Sequence, residues 1–156
     1  MSTLLEARLR AALHEADAHQ AALEEALADW QATQPVDSLA QLAADKALKR
    51  LADQIRFRLM NLQDALGLRL IPATLGMLAE PYEGWPMQDR LSRLEKLGYL
   101  DAIQWLMWWD LCNRLAHEYP DDVAGCWANL QQAVMAAGDM LVLYRRWRQL
   151  LQGRGY

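Results

Sequence analysis

The segment Asn113-Arg114-Leu115-Ala116-His117-Glu118-Tyr119-Pro120 gathers the side chains of this chain best suited to chemistry. On a helix, His117 shares a face with Asn113, four residues earlier, and Arg114, three earlier; Asp110, seven earlier, lies on the same side. An imidazole exchanges a proton in the physiological range. A guanidinium offers a fixed positive charge, and an amide can orient a polar ligand. Such a set would bring a titratable imidazole, a cation and an amide together at one helix end. The plain alternative is a solvated helix end, where His and Arg favour the helix dipole. Cys112 adds a thiol one step upstream, but a helix C-terminus disfavours a thiolate, so it reads as a structural cysteine.

Other candidate groups are less organised. His14 and His19 are five apart and do not share a face, so they do not read as a metal pair, and Glu15 can pair with His19. Trp105, Trp108 and Trp109 stand at i, i+3, i+4. That pattern reads as core or subunit interface, with a base-stacking platform as the functional alternative. Arg145, Arg146 and Arg148 flank Trp147. They suit a helix C-terminus, and a short basic cluster is weak evidence for nucleic acid. The two cysteines, Cys112 and Cys126, have neither metal-ligand spacing nor a disulfide framework. A net charge of −4 argues against strong nonspecific nucleic-acid binding but leaves room for a local basic cleft.

The elements that must carry these residues read as helices. Leu, Ala, Gln, Arg and Glu abound while Val, Ile and Thr are scarce, giving an all-α expectation. At 156 residues and 53% hydrophobic content, the chain suits a single domain over 1–156. Thr3 and Glu6 form a candidate capping box for a first helix ending near Ala32. Ser38 and Gln41 form a second, heading a long helix striped by Leu48, Leu51, Ile55, Leu59, Leu62 and Leu66, with Gly67 as its stop. Residues 68–86, with Pro72, Pro81 and Pro86, read as a connector holding one helical turn at 73–79. A short helix follows, striped by Leu91, Leu94 and Leu97 and stopped by Gly98.

Asp101 and Gln104 make a third box, with Leu100 and Trp105 as a hydrophobic staple, and Pro120 predicts that this helix ends at Tyr119. Asp121 or Asp122 caps a last helix that turns Cys126, Leu130, Val134, Ala137, Leu141 and Tyr144 inward. The sum is an up-and-down bundle of four main helices plus a short one. No run of about 18 apolar residues predicts a membrane span, and MSTLLEARLR does not read as a signal peptide, so a cytoplasmic location is expected.

Residues 94–122, LEKLGYLDAIQWLMWWDLCNRLAHEYPDD, resemble the signature of HEPN-domain proteins of the HepT toxin type, the nucleotidyltransferase substrate-binding proteins. The match lies in a Leu-Glu-Lys-Leu-Gly turn followed by a helix ending in Arg-Asn-x-x-x-His-x-Tyr. Asn113, His117 and Tyr119 meet the motif; Leu94 to Gly98 and Pro120 to Asp122 meet its flanks. The resemblance implies a HEPN-like helical bundle that dimerises so that two motifs face one cleft. It implies a metal-independent endoribonuclease without a cofactor, and a minimal nucleotidyltransferase antitoxin as partner. It also implies that this partner adenylylates the motif tyrosine, here Tyr119. Asn113 and His117 are then the expected catalytic residues, with Arg114 a candidate phosphate contact.

One departure bears on activity. The motif arginine falls on Cys112, and a second arginine common three residues earlier falls on Trp109. Arg114 is two residues, about 200° of helical turn, from the first position. The resemblance therefore leaves three readings: a ribonuclease toxin, impaired or not; a nuclease-inactive HEPN module that docks a nucleotidyltransferase; and a HEPN scaffold with a nucleotide-binding cleft and no toxin role.

Overall fold

The computed structural model describes residues 3–33 and 35–156, which form an all-helical bundle with no strand among them. Its elements are α1 (Thr3–Ala32), α2 (Leu39–Ala43), α3 (Lys46–Ala65), a π-helical segment (Leu66–Leu70), α4 (Ile71–Met77), α5 (Met87–Lys96), α6 (Ala102–Ala116) and α7 (Val123–Gly153). α1 packs most extensively on α3, and α7 closes the bundle against α1, α3 and α6. Cross-links fix the directions. His19 meets Arg58 and Glu15 meets Arg69, so α1 and α3 run antiparallel. Arg145 meets Glu24 and Arg148 meets Asp17, so α7 is also antiparallel to α1.

Several expected boundaries shift. Thr3 is already helical and the residues before it lie outside the described ones, so the first capping box is not seen as a cap. The Ser38 hydroxyl does cap a helix through the Gln41 N–H, at 3.2 Å, but that helix is only α2. The long helix has its own cap, Asp45, whose carboxylate accepts from the Leu48 N–H at 3.1 Å. Gly67 does not stop it. The chain continues through a wider turn in which the Ile71 N–H reaches back five residues to the Leu66 carbonyl. Pro72 has no N–H to give to an α-helical ladder and its ring crowds the preceding turn, and a π turn relieves both conflicts. The expected connector at 68–86 is thus helical to Met77. Its true stop is Ala79, in the left-handed region at φ 58°, with the Glu80 N–H bonded to the Leu75 carbonyl at 3.0 Å.

Gly67 has another task. A Cβ there would stand 3.1 Å from Cζ2 of Trp105, a ring that is wholly buried. The missing side chain lets the Trp105 indole, carried by α6, lie against the backbone of the π turn. Trp105 stands edge-on to Trp108, ring centres 6.4 Å apart. The other end of the core is built around Trp147, whose indole N–H donates to Thr74 Oγ1 at 3.1 Å and whose ring meets Tyr99 edge-on at 5.5 Å. The Gly98 turn and the Asp101 cap form as the sequence predicts. Tyr99 N–H reaches the Leu94 carbonyl at 2.9 Å, Asp101 accepts from the Gln104 N–H at 3.0 Å, and Leu100 and Trp105 are both buried.

Replacing Gly67 tests this seat. Gly67→Val removes a glycine from a helical segment, yet it should destabilise the protein by about 1–3 kcal/mol, the usual cost of overfilling a packed core. Denaturant unfolding measures it, and an unchanged midpoint would mean that α6 does not bear on the π turn.

Candidate functional site

α6 ends one turn earlier than Pro120 alone predicts. Ala116 is its last residue, and His117 leaves the helix at φ −123°, ψ 32°, its N–H held by the Arg114 carbonyl at 3.2 Å. Residues 117–122 form a tight link to α7. Tyr119, Pro120, Asp121 and Asp122 make a turn closed by the Asp122 N–H on the Tyr119 carbonyl, at 3.0 Å, with Pro120 in the position that favours such turns. The Cys126 thiol donates to the same carbonyl at 3.3 Å. Asp122 then caps α7 through the Gly125 N–H, at 3.0 Å, and a Cβ on Gly125 would collide with that carboxylate.

This link brings the sequence-identified residues into one cleft. Asn113, Arg114, His117 and Tyr119 line a cavity of about 420 Å³ between the end of α6 and the start of α7. The three residues expected on one helix face do converge, although His117 does so from outside the helix. Tyr119 is 79% exposed and presents its ring to solvent. The Arg114 guanidinium is fixed by Gln132, at 2.8 Å, and by Asp110, at 3.6 Å, so Asp110 acts on Arg114 and does not line the cleft.

Sequence reasoning missed the acidic and thiol side of the cleft. Glu118, Asp122, Gly125, Cys126 and Asn129 complete its lining. Cys126, expected in the core, is only half-buried. Its thiol is pushed up by burial and then by the neighbouring Glu118 carboxylate, so it stays a protonated donor; the Arg56 charge opposes that shift weakly. Arg56, on α3, is therefore a cation near the cleft that no local motif announces; it is paired with Asp53 at 2.9 Å. Arg114 thus faces a cleft whose own lining holds two carboxylates.

Cys112 lies elsewhere. It is buried against α3, and its thiol is pushed up to about 12 by burial and then by Asp64. A thiol so disposed is not a nucleophile at neutral pH. It lines a separate hollow of about 200 Å³ that shares Asn113 with the main cleft.

The remaining candidates are structural or solvent-facing. His14 is exposed, while His19 accepts from Arg58 at 3.0 Å in its neutral form, its pKa lowered by burial and then by that arginine. Of the expected tryptophan group, Trp105 and Trp108 are core, but Trp109 is 56% exposed. The C-terminal basic cluster is divided. Arg145 and Arg148 pair with Glu24 and Asp17 on α1, Trp147 is buried, and Arg146 faces solvent. Among the described residues no group of three His, Cys, Asp or Glu side chains stands together as a metal site, and no helix is long and apolar enough to cross a membrane.

Comparison with protein-family models, curated proteins and solved structures finds no match for this chain.

The order of the link depends on the Asp122 cap. Asp122→Ala should cost about 1 kcal/mol of stability. It should also raise amide hydrogen exchange in 119–126 selectively, leaving α1 and α3 protected. Uniformly faster exchange would show that the cap supports the whole fold and not this link.

Proposed function

We propose that the chain is a HepT-like HEPN component of a toxin–antitoxin pair, a metal-independent endoribonuclease whose partner is a minimal nucleotidyltransferase. The observation that carries the reading is the shared cleft of Asn113, His117 and Tyr119, with a guanidinium tethered at its rim. RNA supplies its own nucleophile. The 2′-oxygen attacks the adjacent phosphorus while the bond to the 5′-oxygen breaks, leaving a cyclic phosphate and a free 5′-hydroxyl. His117 takes the 2′-hydroxyl proton or donates one to the departing 5′-oxygen. Asn113 holds the phosphate or sugar by hydrogen bonds, and Arg114 offsets charge that develops on phosphorus. Tyr119 is the residue the partner adenylylates. AMP at that exposed position, two residues from His117, adds bulk and negative charge at the cleft mouth and opposes RNA entry.

Dimerisation through a second copy belongs to the same reading. Ile103, Leu106 and Met107 on α6 and Met135 on α7 are all exposed, an apolar face that a partner copy would cover. A cytoplasmic location fits free thiols at Cys112 and Cys126.

A second reading is favoured by Cys112. Where the resembled motif has an arginine, this chain has a buried neutral thiol, and the cleft carries Glu118 and Asp122. That suits a nuclease-inactive module that still docks the nucleotidyltransferase.

Cleavage of RNA by the purified protein separates the two. The ribonuclease reading expects metal-independent cutting that falls by about 100-fold or more in His117→Ala. It expects Cys112→Arg to cut at least as fast as wild type. If neither wild type nor Cys112→Arg cuts, and a stable complex with the nucleotidyltransferase forms, the binding-module reading replaces it.

A further inference from the structure

The hollow beside Cys112 presents a side-chain amide with no partner in the fold. Gln63, on α3, is 5% exposed, lines this cavity of about 200 Å³, and its side-chain amide makes no hydrogen bond among the described residues. Such an amide is free to bond a polar group that enters the hollow. The walls define what that is. Trp109 offers a half-exposed indole and Met60 a flexible thioether, both suited to a flat ring. Asp64 stands at the mouth as an exposed acceptor. Asn113 borders both this hollow and the His117 cleft, so a strand whose phosphate lies by His117 has a neighbouring base within reach of it. Cys112 contributes its short side chain to the wall of this space.

We propose that Gln63, Asp64, Trp109 and Asn113 form a pocket for one nucleobase carrying an exocyclic amine, adjoining the phosphate cleft. The indole stacks on the base without regard to sequence. The polar groups select. A carboxylate accepts from an amino group, and an amide bonds the ring nitrogen or carbonyl next to it. Uracil has no exocyclic amine to offer Asp64. The polymer that delivers the base rests on the ribonuclease reading; the pocket itself does not.

The test titrates the full chain with guanosine, adenosine, cytidine and uridine, following the indole N–H resonance of Trp109, assigned with Trp109→Phe. Nucleosides carry no phosphate and are not cleaved, so binding is read without activity. At least one amino-bearing nucleoside should shift this resonance saturably, at least tenfold more tightly than uridine. Asp64→Asn, a surface change, should remove the preference, and Gln63→Leu should abolish binding. His117→Ala should leave binding unchanged. If no nucleoside moves the Trp109 resonance, the hollow holds only water and the proposal fails, whatever the cleavage result. If uridine binds as tightly as the others, or Asp64→Asn leaves the preference intact, base selection by these groups is refuted. Nucleoside binding without any RNA cleavage would uphold the pocket and overturn the ribonuclease reading alone.

Discussion

The approach of Trp105 to Gly67 governs the arrangement of the functional half of the molecule. The backbone of the π turn and the buried indole meet with no side chain between them. That contact sets how closely α6 lies on α3, and so where the last turn of α6 delivers Asn113, Arg114 and His117. The π turn is itself a response to sequence. Pro72 could not continue a regular α-helix at that register, and the wider turn absorbs it while the chain runs from α3 into α4 without leaving helical geometry. A helix broken outright at Gly67 would leave the core residues Leu70, Ile71 and Leu75 without a fixed seat.

From that seat, α6 divides two polar spaces. On one side lies the larger cleft, with His117 and Tyr119 presented by a link that is clamped at the Tyr119 carbonyl and capped by Asp122. On the other lies the smaller hollow between α3 and α6, floored by Cys112. Asn113 belongs to both. The charges do not resemble a general phosphate-binding surface, because Glu118, Asp122 and Asp64 accompany Arg114. Any polyanion that enters must be held by directed contacts, and long-range attraction contributes little.

Much of the fold was legible because its signals are local. The Asp101 cap, the Leu100–Trp105 staple and the Gly98 turn depend on neighbours within six residues, and each formed as read. The failures have separate causes. Glycine was read as a helix stop at Gly67, where it serves a tertiary contact thirty-eight residues away in sequence, and Ala79 gave no stop signal though it occupies the left-handed position. The Asp45 cap was hidden behind a valid but shorter helix at Ser38. The candidate site was legible where its signals are local. Asn113, Arg114, His117 and Tyr119 lie within seven residues and could be found together. Arg56, Gln63 and Asp64 reach the region only through packing of α3 on α6 and α7, which no short spacing encodes.

The central claim is that the end of α6 and its link to α7 form the surface that receives RNA. It is tested most directly by titrating the isotope-labelled protein with a short 2′-O-methyl oligonucleotide, which cannot supply the attacking hydroxyl, and mapping amide shifts. The account predicts changes confined to residues 109–129 and the facing turns of α3, including His117 and Tyr119. Changes confined to the outer faces of α1 and the C-terminal half of α7, or no change at millimolar oligonucleotide, would contradict it.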